Sequence, residues 1–418
     1  MATDAFGRLR TSEPFTTFNY YPSPAYNDTS DNDVWVRDAS NGGSISYDAS
    51  SNFIKLDISG GAGTNKYAIR TTKVPMDYQP GKSRLIMMSG VMMTPVPASG
   101  EQIFSRVGLI NLASPTITDG VWFEVDGSNN TLNWCQSIQN GTGSYTENKV
   151  PDSSWNIDRF NGSGPSGKTL LFENMNKVIL IVIDQEWLGV GRLRCGFNID
   201  GVTYYAHAFT HGTLSYAYTA SPRQRLGYEI LTGTNGTAPA ITYTLKQICC
   251  TSMSEGGFFP LGTRNSVRSA INVTSATNKL ILALRLKSGT NYKNGVIKPI
   301  GLDIMNTKNA DFASYELRLL SNINNTQIGT HILDASFSDI SNSIVRTYAP
   351  PSATDVTIIG GYVIHSGFVS SRSNTTFSSN DYETLLTRAI CTQYDTLALV
   401  TTGGTAEISV SLDFIESL

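Results

Sequence analysis

The chain has 418 residues, of which 40% are apolar and 16% are charged. This balance argues against a disordered chain and is typical of β-rich folds with neutral polar outer faces, and the length favours two domains or more. The formal net charge of −3 provides no global positive field, so nucleic acid is not an expected partner. The longest apolar run, residues 178–183, is too short to cross a bilayer, so no membrane insertion is expected.

Residues 1–33 are predicted to be an extended N-terminal arm and lead-in. Residues 4–15 (DAFGRLRTSEPF) alternate large apolar groups with cations, and Gly7 and Pro14 make a helix unfavourable. A solvated tail would carry fewer apolar groups, so the arm is expected to lie on a surface. The candidate anchor residues are Phe6, Arg8, Leu9, Arg10 and Phe15.

Residues 34–255 are predicted to form a β-sandwich domain. Apolar and polar residues alternate with period two, as in residues 52–59 (NFIKLDIS), which indicates half-buried antiparallel strands. Turn signals such as Asp200-Gly201 separate these segments. Strands and turns at this density are typical of sandwiches and jelly rolls, so the predicted fold class is all-β.

Glu124 and Asp126 form a carboxylate pair two residues apart, after Trp122, on one face of a predicted strand. Paired carboxylates beside an aromatic residue occur in glycosidases, so a hydrolase is one alternative. The pair is equally expected on the solvent face of a strand, and Asp126 also starts an Asp-Gly turn. No catalytic residue is therefore assigned.

Residues 162–169 (GSGPSGKT) match the P-loop pattern that binds phosphate, and Asp184 follows the next apolar strand as a Mg²⁺-binding aspartate would. The context argues against a nucleotide site, because the preceding segment is polar rather than a buried strand. The roughly fourteen residues after Lys168 are also too few for the helix and strand of a βαβ unit, which needs about 30 residues. No cofactor is predicted.

His207 and His211 have the spacing of a metal-binding pair on a helix. Residues 203–211 have strand character, however, and on a strand the two histidines lie about 13 Å apart. A bulge would change that distance. No metal site is predicted.

A cluster of tyrosines follows in the sequence, and tyrosine-rich surfaces serve interfaces and sugar stacking. Ordinary packing within strands is the competing explanation. The candidate surface-binding aromatic residues are Tyr204, Tyr205, Tyr216 and Tyr218.

Residues 256–270, which open with Gly256-Gly257, are predicted to be a linker into a second β-sandwich domain, residues 271–418. Leucines alternate at every second position in residues 279–287 (KLILALRLK), as do apolar residues in 407–414 (EISVSLDF). Each pattern predicts a strand with one buried face.

Five cysteines without regular spacing are a poor disulfide framework for a chain of this length. Reduced thiols and synthesis in a cytoplasmic compartment are expected. The five are Cys135, Cys195, Cys249, Cys250 and Cys391.

The run at residues 4–15 resembles the start of a family of tailed-bacteriophage virion structural proteins. Other stretches resemble the same family, namely residues 78–83 (YQPGKS), 186–191 (EWLGVG), 197–201 (FNIDG), 245–249 (LKQIC) and 254–257 (SEGG). The resemblance covers residues 4–257 at scattered motifs, and the C-terminal domain is similar only in its general β character. It implies a particle component of the head, the neck or the tail, with no assigned catalytic residues.

The predicted function is therefore that of a non-enzymatic structural component of a tailed-phage virion, as a capsid decoration, head fibre, neck or tail protein. The chain is expected to be a homo-oligomer, a trimer or a ring, made in the host cytoplasm and incorporated into the virion with capsid, portal, neck or tail proteins as partners. The apolar anchor residues would fill pockets while Arg8 and Arg10 pair with carboxylates. The alternative is a receptor- or glycan-binding tail or fibre module that contacts a host surface glycan. A hydrolase or nucleotide-binding enzyme is less favoured.

Overall fold

The computed structural model describes residues 14–22, 35–61, 64–72, 75–113, 116–139, 144–219, 221–233, 239–256, 262–273, 278–287, 296–307, 312–320, 337–350, 356–358, 360–370, 374–377, 396–403 and 406–417. Within these ranges nearly all regular structure is β-strand, so the predicted all-β fold class is confirmed. The described helices are the 3₁₀ turns Asp152–Ser154 and Phe172–Asn176. In this part of the chain no helix is long and apolar enough to cross a membrane.

The chain divides into two compact units, Met1–Phe258 and Phe259–Leu418. This division lies within the predicted linker, residues 256–270. The linker prediction is wrong at its C-terminal end, because Thr263–Val273 is a strand. Val267 and Ile271 of that strand are buried, so the alternation that defines a half-buried strand begins before residue 271.

The first unit contains fifteen described strands. They are β1 (Pro14–Tyr20), β2 (Trp35–Ser40), β3 (Gly43–Asp48), β4 (Phe53–Ile58), β5 (Tyr67–Thr72), β6 (Arg84–Thr94), β7 (Ile103–Ala113), β8 (Thr116–Asp126), β9 (Thr131–Gln139), β10 (Tyr145–Pro151), β11 (Val178–Gln185), β12 (Leu193–Ile199), β13 (Val202–Phe209), β14 (Arg225–Thr232) and β15 (Tyr243–Glu255).

Two antiparallel sheets form this unit. One has the strand order β13-β12-β11-β6-β15-β4-β3, with β1 also paired to β15, and the other has the order β10-β9-β8-β7-β14-β5-β2. A single hydrophobic core lies between them, with Leu56 and Met88 from the first sheet against Leu109 and Phe123 from the second. The unit is a β-sandwich.

All five tryptophans of the chain belong to this first unit. Four of them are buried, namely Trp35, Trp122, Trp134 and Trp155. Buried aromatic side chains of this kind remove about 150–250 Å² each from water.

The extended-arm prediction, residues 1–33, is wrong for Pro14–Tyr20, which form the edge strand β1. This strand pairs with the part of β15 from Cys250 to Glu255, where β4 does not reach. The rings of Phe18 and Tyr20 pack against Trp35, with centroids 6.3 and 5.0 Å away. Backbone pairing and aromatic burial therefore hold β1 on its own unit.

The second unit contains ten described strands. They are β16 (Thr263–Val273), β17 (Lys279–Leu286), β18 (Val296–Asn306), β19 (Ala313–Leu320), β20 (Ser338–Asp339), β21 (Val345–Tyr348), β22 (Tyr362–Val369), β23 (Asn374–Phe377), β24 (Thr396–Gly403) and β25 (Ala406–Ser417).

This unit is also a sandwich of two antiparallel sheets, ordered β16-β25-β18-β23 and β20-β21-β17-β24-β19-β22. Its core places Ile271 and Leu412 of one sheet against Leu284 and Leu317 of the other. The predicted single leucine face of β17 is wrong at Leu280, because the register shifts between Leu280 and Leu282. Such a bulge turns the preceding residue to the other face, and Leu280 lies in a separate apolar cluster.

Candidate functional site

The carboxylate pair Glu124 and Asp126 lies on the outer face of β8, within an ion-pair cluster whose side chains come from four strands. Arg106 on β7 is directly opposite Glu124 and donates from Nε to Glu124 Oε2 at 2.7 Å. Arg106 Nη1 donates to Glu229 Oε2 on β14 at 3.2 Å. Lys149 Nζ on β10 lies 2.6 Å from Glu124 Oε1 and 2.6 Å from Asp126 Oδ2.

These carboxylates are buried, so their expected place on the solvent face is wrong. The side chains of Glu124 and Glu229 are 0% exposed. Burial raises the pKa of Glu229, and Arg106 opposes this shift. Burial also raises the pKa of Asp126, but hydrogen bonds from Lys149 and Ser128 outweigh it and the pKa is lowered overall. Cations from neighbouring strands thus compensate acids that would otherwise need water.

One set of three side chains near this cluster has its potential ligand atoms close enough together to hold a metal ion. Ligand atoms of Glu124, Cys135 and Glu147 lie within 4.8 Å of one another. Burial raises the pKa of the Cys135 thiol well above its usual range, which favours the protonated form. Lys149 and Arg106 already contact Glu124, so an incoming cation would have to displace an internal one.

The P-loop-like segment, residues 162–169, folds around a carboxylate of its own unit. Asp158 accepts hydrogen bonds from the backbone N–H of Phe160 at 2.8 Å and of Ser166 at 2.7 Å. Lys168 Nζ lies 3.4 Å from Asp200 Oδ2 at the exposed surface. The segment that follows continues into the 3₁₀ turn Phe172–Asn176. The amides that a phosphate would need already have internal acceptors, since Ser166 N–H donates to Asp158, Ser163 N–H to Asn161 Oδ1 and Gly167 N–H to Gly164 O.

The two histidines have different partners. His207 is buried on β13, and its Nδ1 accepts the backbone N–H of Asn156 at 3.3 Å. His211 lies beyond the end of β13, stacks on Tyr218 with ring centroids 3.8 Å apart, and donates from Nδ1 to Gly191 O at 2.6 Å. Burial lowers the pKa of His207 to about 4 and also lowers that of His211.

The four candidate tyrosines do not form one surface. Tyr204 and Tyr205 are consecutive on β13 and so point to opposite faces of the sheet. Tyr205 donates its hydroxyl to Asp184 Oδ2 at 2.9 Å. Tyr218 is fully buried and accepts a hydrogen bond from Gln185, so its prediction as a surface residue is wrong. Tyr216 is half-buried.

Among the candidate anchor residues, only Phe15 lies within the described part of the chain. It is on β1, opposite Ser254, and is 37% exposed. Phe15 is therefore fixed to its own unit. Phe6, Arg8, Leu9 and Arg10 lie outside the described residues.

Stretches that are far apart in sequence meet at one end of the first unit, where the N-terminal segment joins β1. Pro14 is opposite Glu255 in the β1–β15 pair. Glu255 bonds to Ser83 through its backbone N–H at 3.0 Å and accepts the Ser83 hydroxyl at 3.0 Å. Tyr78 accepts the backbone N–H of Leu188 at 3.2 Å. We call this region, formed by Pro14–Phe15 and residues 78–83, 187–191 and 254–255, the arm end.

The arm end brings together the described parts of four of the stretches that carry the family resemblance, namely residues 14–15, 78–83, 186–191 and 254–256. Sequence reasoning treated them as separate motifs. Their partners are remote in the chain, since Ser83 and Glu255 are 172 residues apart and Tyr78 and Leu188 are 110 apart. No spacing in the sequence signals such a meeting.

An apolar loop, residues 187–191, stands at the arm end. Leu188 and Val190 are 49% and 52% exposed. Sequence reasoning missed this feature, because WLGVG also fits an ordinary strand end followed by a glycine turn. The exposure of the loop depends on the positive backbone φ angles of Leu188 and Gly189, which the residue types alone do not determine.

No protein-family model matches the sequence, and no curated protein matches it. Several solved structures are similar at low identity. An endo-1,3-beta-glucanase from Streptomyces sioyaensis is 12% identical with a TM-score of 0.38, covering 58% of this chain and 97% of its own. A Bacillus licheniformis beta-glucanase is 12% identical with a TM-score of 0.34, covering 58% and 98%. The CBM2 module of the evolved Dit of Lactobacillus casei BL23 phage J-1 is 8% identical with a TM-score of 0.35, covering 59% and 99%.

Proposed function

We propose that this chain is a non-enzymatic structural component of a tailed-phage virion, anchored through its N-terminal segment and assembled as a homo-oligomer. The observation that carries the proposal is the arm end. The run that resembles virion proteins joins the folded unit there, and three other resembling stretches lie beside it. A contiguous surface made of such stretches is what an assembly contact would require.

β1 supports an anchoring role for the residues that precede it. Six of the seven residues of β1 are paired with β15, and Tyr20 also accepts a hydrogen bond from Arg70 Nη2 at 3.1 Å. A force that pulls on residues 1–13 would therefore be transmitted through β1 to the hydrophobic core of the sandwich. The proposed contacts with a neighbour are made by the apolar and cationic side chains of that segment, Phe6, Arg8, Leu9 and Arg10.

The proposed partners are further copies of this chain in a trimer or ring, and capsid, portal, neck or tail proteins of the same particle. Closed rotational symmetry would place every arm end in the same environment. The proposed location is the virion, after synthesis in the host cytoplasm.

Deletion of residues 2–13 tests this function. The cut stops before Pro14, because β1 packs on Trp35 and is part of the fold. The truncated chain should fold normally by circular dichroism but should be missing from particles purified after co-expression with the other virion proteins. Thr11→Ala/Ser12→Ala is the matched control and should be incorporated. Normal incorporation of the truncated chain would reject the anchoring role.

Glycan or receptor binding by the second unit is the second candidate. Phe312 and Phe368 are 58% and 69% exposed, and their rings lie edge to face with centroids 6.0 Å apart. Exposed aromatic rings are suited to stacking on sugars. Phe312→Ala/Phe368→Ala should abolish binding of the full chain to immobilised host-surface glycans, whereas Met305→Ala, also at an exposed position, should not. Equal retention of both variants would count against this candidate.

A further inference from the structure

We propose that the apolar loop at the arm end, residues 187–191, is the docking site for the N-terminal segment of a neighbouring copy of this chain. The inference rests on the proposed homo-oligomer and names the surface that receives the anchor. Leu188 and Val190 supply the apolar contact.

The backbone of this loop displays its two aliphatic side chains in an uncommon conformation. Leu188 has φ of 36° and is followed by Gly189 with φ of 78°. Positive φ is rare for a bulky residue and persists only where the surroundings enforce it. Such outliers are concentrated at binding sites, and here the outlier holds Leu188 outward.

Hydrogen bonds to the flanking segments enforce the conformation. Gly191 N–H donates to Trp187 O at 2.7 Å and closes the turn. Leu188 N–H donates to Tyr78 Oη at 3.2 Å, and Gly189 O accepts the Tyr218 N–H at 3.0 Å. The backbone that presents the two side chains is therefore already held in position, so docking would cost little further backbone ordering.

The N-terminal segment has the chemistry to cover this surface. Phe6 and Leu9 are apolar, while Arg8 and Arg10 are opposite in charge to Asp77, which lies 3.9 Å from Arg223 Nε, and to Glu255, which accepts the Ser83 hydroxyl. Residues 1–13 directly precede Pro14, which is opposite Glu255. A chain of thirteen residues spans at most about 45 Å. It can therefore reach the equivalent loop of an adjacent copy when that loop lies within this distance. A contact between different patches of successive copies is heterologous and closes into a ring when the rotation permits.

A peptide-binding experiment tests the surface. Labelled peptide 1–13 is titrated onto the chain that lacks residues 2–13, with fluorescence anisotropy as the readout. Saturable binding is expected, and Leu188→Ser/Val190→Ser should weaken it about tenfold or more. The control Val202→Ser/Ile241→Ser, at positions 49% and 51% exposed, should leave binding unchanged. Unchanged binding to the Leu188/Val190 variant, or no saturable binding, would overturn the proposal.

A cross-linking experiment identifies the copy that supplies the segment. A chain carrying Leu9→Cys is mixed with a differently tagged chain carrying Val190→Cys, both with the exposed Cys249 replaced by serine. A disulfide between the two chains is expected on a non-reducing gel. Cross-linking only within one chain that carries both substitutions would overturn the proposal.

The two proposals fail separately. If the chain lacking residues 2–13 is excluded from particles but binds no peptide 1–13, the anchoring function stands and this docking surface is rejected. If the truncated chain enters particles normally, the anchoring function itself is rejected.

Discussion

Lys149 is one of the two cations, with Arg106, that bridge the buried carboxylates of the ion-pair cluster in the first unit. It spans β9 to reach two carboxylates of β8, and both of those carboxylates are buried. Removing its charge would leave Glu124 with Arg106 as its remaining described cation. A buried acid that loses one partner retains its desolvation cost, so the cluster should be sensitive to this change.

Lys149→Met should lower the free energy of unfolding by about 1–3 kcal/mol, measured by urea denaturation. Lys168→Met is the matched control, because its partner Asp200 is 83% exposed, and a surface pair of this kind contributes about 0–1 kcal/mol. Equal effects of the two substitutions would contradict the assigned role of the cluster.

At this scale the sequence predicted which residues carry charge but not what surrounds them. Glu124 and Asp126 were recognised as a pair, whereas their cations were not. Arg106 and Glu229 are 123 residues apart, and they meet only because β7 and β14 are neighbours in the sheet. Local spacing carries no information on such a contact.

Among the strands, β1 shows how one edge element completes a core. None of its seven residues is fully buried, yet Tyr20 covers Trp35 and hydrogen-bonds to the fully buried Arg70. The guanidinium of Arg70 also lies 4.3 Å from the Trp35 ring centroid. Loss of Tyr20 would therefore affect a buried cation as well as an aromatic contact.

Tyr20→Phe should lower the free energy of unfolding by about 1–2 kcal/mol, because the ring is kept and one hydrogen bond from a charged donor is lost. Asn19→Ala, at the neighbouring exposed position, should stay within about 0.5 kcal/mol of the wild type. Urea unfolding followed by tryptophan fluorescence measures both. A neutral Tyr20→Phe would mean that β1 does not contribute to the core as described.

Alternation predicted the ordinary strands well and the irregular ones poorly. In β4 and β25 every second residue is buried, as the pattern indicated. β17 departs from its pattern at a bulge, which depends on the partner strand rather than on β17 itself. The local pattern does not indicate β1 as a strand, because its pairing with β15 joins residues 235 apart, as the Thr17–Ser252 hydrogen bond shows.

For the molecule as a whole, buried histidines predict sensitivity to acid. Burial lowers the pKa of His207 to about 4 and lowers the pKa of His211 and His365. In the unfolded chain a histidine has a pKa of about 6.5, so between these values the unfolded state binds more protons. Stability is therefore fully present above about pH 6.5 and is lost as the pH falls toward the folded-state pKa.

The free energy of unfolding should therefore fall between pH 7 and pH 5, and His207→Gln should remove about 1–2 kcal/mol of that fall. Urea unfolding at both pH values gives the difference for each protein. The comparison is between slopes, so a uniform destabilisation of the variant does not affect it. Identical pH dependence in the two proteins would show that His207 is not held neutral.

The division of the chain into two units could be anticipated from its sequence, while the candidate site could not. Composition and turn density indicated two β-sandwiches, and the division of the chain at Phe258 lies inside the predicted linker. The arm end depends on β1, β6, β11 and β15 terminating beside one another, which is a property of sheet order. The order of strands in an antiparallel sandwich depends on contacts between segments that are distant in sequence, so local sequence patterns do not predict it.

The uneven distribution of tryptophan makes the two halves of the chain optically distinct. Indole emission comes only from the first unit, whereas circular dichroism records the strands of both. A sugar stacking on Phe312 and Phe368 should leave the indole signal unchanged. A peptide that occupies the arm end would instead lie beside Trp187, which is half-buried there. A change in tryptophan emission would therefore indicate binding at the arm end. Binding at Phe312 and Phe368 should produce no such change, and neither measurement needs a label.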